Sequence, residues 1–199
     1  MRLALIVLLI SACDLHDEHH IEATWSIDRY GDGVATTVAC PTGWTTVRLV
    51  AVDPSSPTTR TVDTFSCDAQ QGTSSFLAAD SYLAWLEVVD GNKVLATSPP
   101  TTTEVTSFNP ILIADIYLDA GYATVAWPPV TEQVVIELTG TTDITTYFDS
   151  SAGAGLIGPV PAGRYQVAAS IGSRREMLPD LVITAPNGLA DLGMLSIPK

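Results

Sequence analysis

No histidine lies beyond His20, and His16, His19 and His20 all fall in one short stretch near the N-terminus. The body of the chain therefore has no imidazole to act as a general base, which excludes Ser–His–Asp and Cys–His catalysis there. Basic residues are also scarce, with 9 Lys+Arg against 22 Asp+Glu and a formal net charge of −13. Such a surface repels phosphate backbones and anionic headgroups, so nucleic acid is not an expected partner. No apolar run approaches the ~20 residues that a membrane-crossing helix needs. Glycine-rich phosphate loops and dinucleotide fingerprints are missing. Acids are numerous enough for a glycosidase-type carboxylate pair to exist in space, but nothing in the sequence selects one. The chain is read as a non-enzyme without a cofactor.

The N-terminus has Arg2, a short apolar run from Leu3 to Ile10, and then Ile10-Ser11-Ala12-Cys13. A basic start, a short apolar centre and small residues before a cut make a secretory signal over 1–12. Its end resembles the lipobox of bacterial lipoproteins. That resemblance implies diacylglycerol on the Cys13 thiol and cleavage just before it; the alternative is an ordinary secretory signal with an incidental cysteine. Residues 13–21 then form the lipidated cysteine and a polar tether, Asp14-Leu15-His16-Asp17-Glu18-His19-His20-Ile21. His16, His19 and His20, with Asp17 and Glu18, could hold a divalent metal weakly, or the tether could be a solvated spacer. The cysteine count is odd. Giving Cys13 to lipid leaves Cys40 and Cys67 as a disulfide in an oxidising compartment, or as two buried thiols. The expected location is the bacterial cell envelope, lipid-anchored and facing the periplasm or exterior. Asp14 follows the rule for inner-membrane retention in enterobacterial lipoproteins, but the rule varies between groups, so inner against outer membrane stays open.

Hydrophobic residues make up 46% and charged residues 16%, ample material for a packed core. Thr and Val are abundant, which favours strands. Short apolar stretches recur every ten or so residues between Gly, Pro, Asp and Asn, the spacing of an all-β sandwich. Val134, Ile136 and Leu138 alternate with Glu137, and Tyr165, Val167, Ala169 and Ile171 alternate with Arg164, Gln166 and Ser170; each set covers a core with one face. Asp28 to Gly33 looks faintly like a calcium loop, but Tyr30 and Ala39 stand where oxygen ligands belong, so its Asp-Gly reads as a hairpin turn.

The chain also repeats itself. Ala23–Ile27 resembles Ala123–Trp127, Val47–Val52 resembles Val134–Thr139, and Ala79–Ala84 resembles Ala162–Val167. Two copies of one antiparallel sandwich follow, over 22–118 (with the disulfide) and 119–199, the alternative being one larger sandwich. Pro161-Ala162-Gly163-Arg164-Tyr165-Gln166-Val167, with the later Asp191-Leu192-Gly193 before a final strand, is similar to transthyretin-like, carboxypeptidase-regulatory and collagen-adhesin B-type modules. The resemblance implies Ig-like or transthyretin-like sandwiches. Some adhesin modules carry a Lys–Asn isopeptide bond, but the second half has no lysine except Lys199. Trp25, Cys40, Phe65-Ser66-Cys67 and Tyr82 resemble the N-terminal region of lipoproteins from predatory and social soil bacteria.

Trp25 and Trp127 occupy matching first strands and read as core. Trp44, beside the Pro41-Thr42-Gly43 turn, is placed to cover the disulfide, and Arg174-Arg175 reads as a charged hairpin. If Tyr82, Ala84, Leu86 and Val88 face the core, then Leu83, Trp85 and Val89 face out. Leu83 and Trp85 then belong to a ligand platform or to contact with the other domain. The expected function is a membrane-anchored, non-catalytic binding or structural module whose partner is an envelope protein or a carbohydrate. The alternatives are an envelope metal-binding protein using the tether, and an accessory subunit of an envelope complex.

Overall fold

The computed structural model describes residues 19–196 apart from 32 and 107. The signal segment, Cys13, His16 and the rest of the tether up to residue 18 lie outside the described residues.

Two β-sandwiches follow one another. The first holds β1 (Glu22–Gly31), β2 (Val34–Thr37), β3 (Thr46–Val52), β4 (Arg60–Ser66), β5 (Gln71–Thr73), β6 (Asp80–Asp90), β7 (Lys93–Thr97), β8 (Thr101–Val105) and β9 (Ile111–Tyr117). In one sheet β1 pairs with β2, β5 and β9; in the other the order is β4-β3-β6, with β7 and β8 on successive stretches of β6. The second sandwich holds β10 (Ala120–Ala126), β11 (Val134–Thr139), β12 (Ile144–Phe148), β13 (Ala154–Pro161), β14 (Gly163–Ile171), β15 (Arg174–Ile183) and β16 (Leu189–Met194). Its sheets run β13-β10-β16 and β12-β11-β14-β15.

Alternation drives both cores. Val47, Leu49 and Ala51 of β3 meet Tyr82, Ala84, Leu86 and Val88 of β6 in the first core; Val134, Ile136 and Leu138 meet Tyr165, Val167, Ala169 and Ile171 in the second. Burying each large apolar side chain stabilises the fold by roughly 1.5–3 kcal/mol. The matching strands also share their fixings. Trp25 Nε1 donates to the Cys67 carbonyl at 3.0 Å and Trp127 Nε1 to the Ser150 carbonyl at 3.2 Å, each in a short 3-10 turn. Trp25 packs on Phe65 and Trp127 on Phe148, with ring centroids 5.9 and 5.3 Å apart. Each Phe ring lies over a glycine, Gly72 and Gly155, where a Cβ would come within 2.6 and 2.3 Å of it. The hydroxyls of Tyr82 and Tyr165 each donate to a carbonyl four residues back, on Ala78 and Pro161.

Pairing is antiparallel except where each sandwich closes: β9 runs parallel to β1, and β16 parallel to β10. The whole sandwich serves as the crossover that a parallel pair requires. Cys40 and Cys67 form a disulfide, with Trp44 and Cys40 packed against the first core. The β14–β15 hairpin turns at Gly172-Ser173, with Arg174 on Glu132 at 3.1 Å and Arg175 on Glu137 at 2.6 Å.

Three placements differ from expectation. The polar segment stops being a tether before residue 21: His19 bridges Leu77, the His20 N–H donates to Asn109 Oδ1 at 3.0 Å, and Ile21 is fully buried with its N–H on Ser74 Oγ. Ile21 is the first apolar residue of the alternation that continues through Ala23 and Trp25, and it draws its neighbours onto the sandwich. Val89 is buried, although it keeps its place opposite Thr46 in the unbroken β3–β6 register and stands outside the first core. Asp191-Leu192-Gly193 lies within β16 rather than before it. There Asp191 Oδ1 accepts the Gly193 N–H at 2.8 Å across a register shift opposite Thr124 and Ala126.

Candidate functional site at the domain junction

The link between sandwiches is only Leu118-Asp119, and both residues are tied. The Leu118 N–H donates to the Asp28 carbonyl at 2.8 Å, and the Tyr30 N–H donates to Asp119 Oδ1 at 2.7 Å. Asn187, buried between β15 and β16, clamps the joint. Its Oδ1 accepts the Tyr117 N–H at 2.9 Å, its Nδ2 donates to the Thr97 carbonyl at 2.8 Å, and its own N–H donates to the Ala120 carbonyl at 2.8 Å. One side chain thus bonds two strands of the first sandwich. Gly121 and Gly188 let the turn that carries Asn187 lie close against β10, since a Cβ on Gly121 would sit 2.4 Å from the Gly188 carbonyl oxygen. Tyr30, Tyr117 and Tyr122 stack edge to face across the joint. Burial, and then the Asp115 carboxylate, push the Tyr117 phenol up to about 12. Burial followed by the charge on Tyr117 raises Tyr122 further in the same direction.

Two adjoining hollows open at this joint. One, of about 440 Å³, lies between the outer face of β10, β13 and β16 and the Pro99-Pro100 segment joining β7 to β8. Its walls are apolar, from Pro99, Pro100, Leu156 and Leu189, with Thr124 and Asp191 as the polar contribution. Thr124 Oγ1 donates to Asp191 Oδ1 at 3.1 Å. The other, of about 490 Å³, lies between β7, Trp85 and the Pro186–Leu189 turn, and shares Pro100 and Leu189 with the first.

Trp85 is half-buried on the outer face of β6, opposite Val50. Its Nε1 donates to Glu87 Oε1 at 3.1 Å, and Glu87 Oε2 pairs with Arg48 at 2.7 Å, so the indole is held in place. Leu83 is 37% exposed two residues earlier on the same face and lines neither hollow. The structure therefore brings Trp85, but not Leu83, to the junction. Asn187, Leu156 and Leu189 were not foreseen. Pro186-Asn187-Gly188 carries the composition of a turn, and nothing local marks it as an interdomain clamp.

Asp191 is a single carboxylate already accepting from Thr124 and Gly193. Among the described residues no three His, Cys, Asp or Glu side chains are grouped to hold a metal ion. His20 Nδ1 lies 2.9 Å from the Ser74 carbonyl oxygen, a contact that puts the proton on Nδ1 and leaves only Nε2 as a donor to metal.

No protein-family profile matches the chain, and no curated protein matches it. Solved structures to which it is similar include the Bacillus anthracis TIE protein, 9% identical, with 89% of this chain and 34% of that one covered at a TM-score of 0.34. The chain thus spans about a third of that protein's length. The fimbrial anchor protein Mfa2 from Porphyromonas gingivalis is 9% identical over 83% of this chain and 82% of that one, with a TM-score of 0.32. Shaft pilin SpaA from Lactobacillus rhamnosus GG is 12% identical over 87% and 97%, with a TM-score of 0.29. These likenesses concern the fold.

Proposed function

We propose that the protein is a non-catalytic binding or structural module of the bacterial cell envelope, held to a membrane through lipid on Cys13, with the junction hollows as its contact site for an envelope protein. The observation that carries this reading is the clamped joint: Asn187 fixes two sandwiches so that apolar walls from both face a common opening. Preformed concave sites with mostly apolar walls and few polar groups are suited to binding. The Cys40–Cys67 disulfide supports an oxidising compartment and leaves Cys13 as the odd cysteine, the one that the lipobox resemblance marks for acylation. A carbohydrate is the second reading, favoured by the anchored indole of Trp85, since an aromatic face with a polar edge suits sugar rings.

Two measurements test the proposal. Growth with an alkyne fatty acid should label the wild type and not Cys13→Ala; label retained on that variant would refute the anchor. A photo-crosslinking residue at Leu156 or Leu189 should give a discrete envelope-protein adduct, and one at Val34 should not. Equal adducts at all three positions, or none at any, would remove the junction as the contact site.

A further inference from the structure

Large apolar side chains flank the place where the chain enters the first sandwich. Phe76 precedes Leu77, whose N–H donates to the His19 carbonyl at 2.9 Å. Phe108 precedes Asn109, whose Oδ1 takes the His20 N–H. Ile111 stands opposite Glu22 in the β1–β9 register, with Ile113 two residues on along the same face. Their exposures are 49% for Phe76, 81% for Phe108, 61% for Ile111 and 73% for Ile113. Isolated exposed apolar residues are ordinary, but a group gathered around one point marks an interaction surface.

The chain beyond that point identifies the occupant. Cys13 and His19 are six residues apart in the sequence, a span of at most about 20 Å even when fully extended. If Cys13 carries lipid, this end of the first sandwich, with its phenyl and aliphatic side chains, stays within that distance of the membrane. We infer that this end rests on the bilayer, with Phe76, Phe108 and Ile111 entering the boundary between headgroups and acyl chains. The inference rests on the lipid-anchor reading proposed above. Apolar side chains at that depth add to the binding given by an acyl anchor. The acids Asp17 and Glu18 between Cys13 and His19 in the sequence favour a zwitterionic surface over an anionic one.

The test uses the chain from Cys13 onward, which contains every described residue, coupled through its Cys13 thiol to a maleimide-headgroup lipid in phosphatidylcholine vesicles with brominated acyl chains. The other two cysteines are held in the disulfide and do not react. Phe108→Trp and Tyr147→Trp each add one emitter to a common background; Tyr147 is 63% exposed on the second sandwich and serves as the remote site. Quenching of the added emission should be at least threefold greater for Phe108→Trp. Equal quenching at the two positions, or none at either, would overturn the inference. So would a change at position 108 that follows protein density on the vesicle and not bromination, which would make a second copy of the chain the occupant. Because the anchor here is chemical, this result is separate from the fatty-acid labelling that tests acylation in the cell.

Discussion

Asn187 has φ 51, in the left-handed region, where asparagine is tolerated better than most residues with a side chain. Its amide satisfies one N–H and one carbonyl of the first sandwich. Replacing Asn187 with Ala removes both partners and adds backbone strain. Leaving buried backbone groups unpaired costs about 1–3 kcal/mol each, so denaturant unfolding should show a loss of about 2–6 kcal/mol for the two groups. Asn187→Gly relieves the strain but not the lost bonds, and should fall between Asn187→Ala and wild type; a Gly variant as stable as wild type would show that the amide clamps nothing. The tyrosines beside it predict a pH effect. The Tyr117 phenol is pushed from 10.0 to about 12, and Tyr122 is raised as well, so the fold favours their neutral forms. Their contribution to stability is complete below about pH 10 and is lost as pH rises through about 12. Ultraviolet titration should show these two phenolates forming last, together with loss of the fold, and Tyr117→Phe should flatten the alkaline decline.

At the scale of strands and turns, the disulfide and the chain's point of entry are the places to test. The bridge closes a sequence separation of 27 in the first sandwich only. Its removal by reduction should destabilise that sandwich by about 2–4 kcal/mol, with the unfolding transition of the second unmoved. Deleting 14–18 should leave melting unchanged, whereas deleting 14–20 also removes the main-chain contacts of His19 and His20 and should cost about 1–2 kcal/mol in calorimetry. A deletion through 20 with no effect would restore the view that the whole segment is a solvated spacer. Much at this scale was legible in the sequence. Period-2 alternation gave the inward faces of β6, β11 and β14, and the internal repeat paired Trp25 with Trp127 and Tyr82 with Tyr165. The parallel closing pairs were not legible, since β1 and β9 meet across almost a whole sandwich and neither carries a mark of the other's direction. Val89 escaped for a related reason: alternation gives the face on which a side chain stands, and not whether distant chain covers that face. The junction hollows were hidden too, because Pro99-Pro100 and Leu156 are each unremarkable until the fold sets them side by side.

For the whole molecule, the parallel closures decide how it carries load. In each sandwich the first and last strands lie side by side and point the same way. The chain therefore enters a sandwich at one end and leaves it at the other. A pull between Cys13 and the C-terminus is directed along those strands, so the ladders of β1–β9 and β10–β16 are loaded in shear, with their hydrogen bonds stretched together and not opened one at a time like a zip. Single-molecule extension along this axis should give two abrupt ruptures, and a pull applied across the β14–β15 hairpin should peel that pair at much lower force. Under oxidising conditions the loop between Cys40 and Cys67 stays locked. The first sandwich should then release roughly 90 Å less chain than it does after reduction, given about 3.4 Å per extended residue over a separation of 27. A protein fastened to a surface at one end and gripped at the other would yield late and all at once, the behaviour of a cable joint.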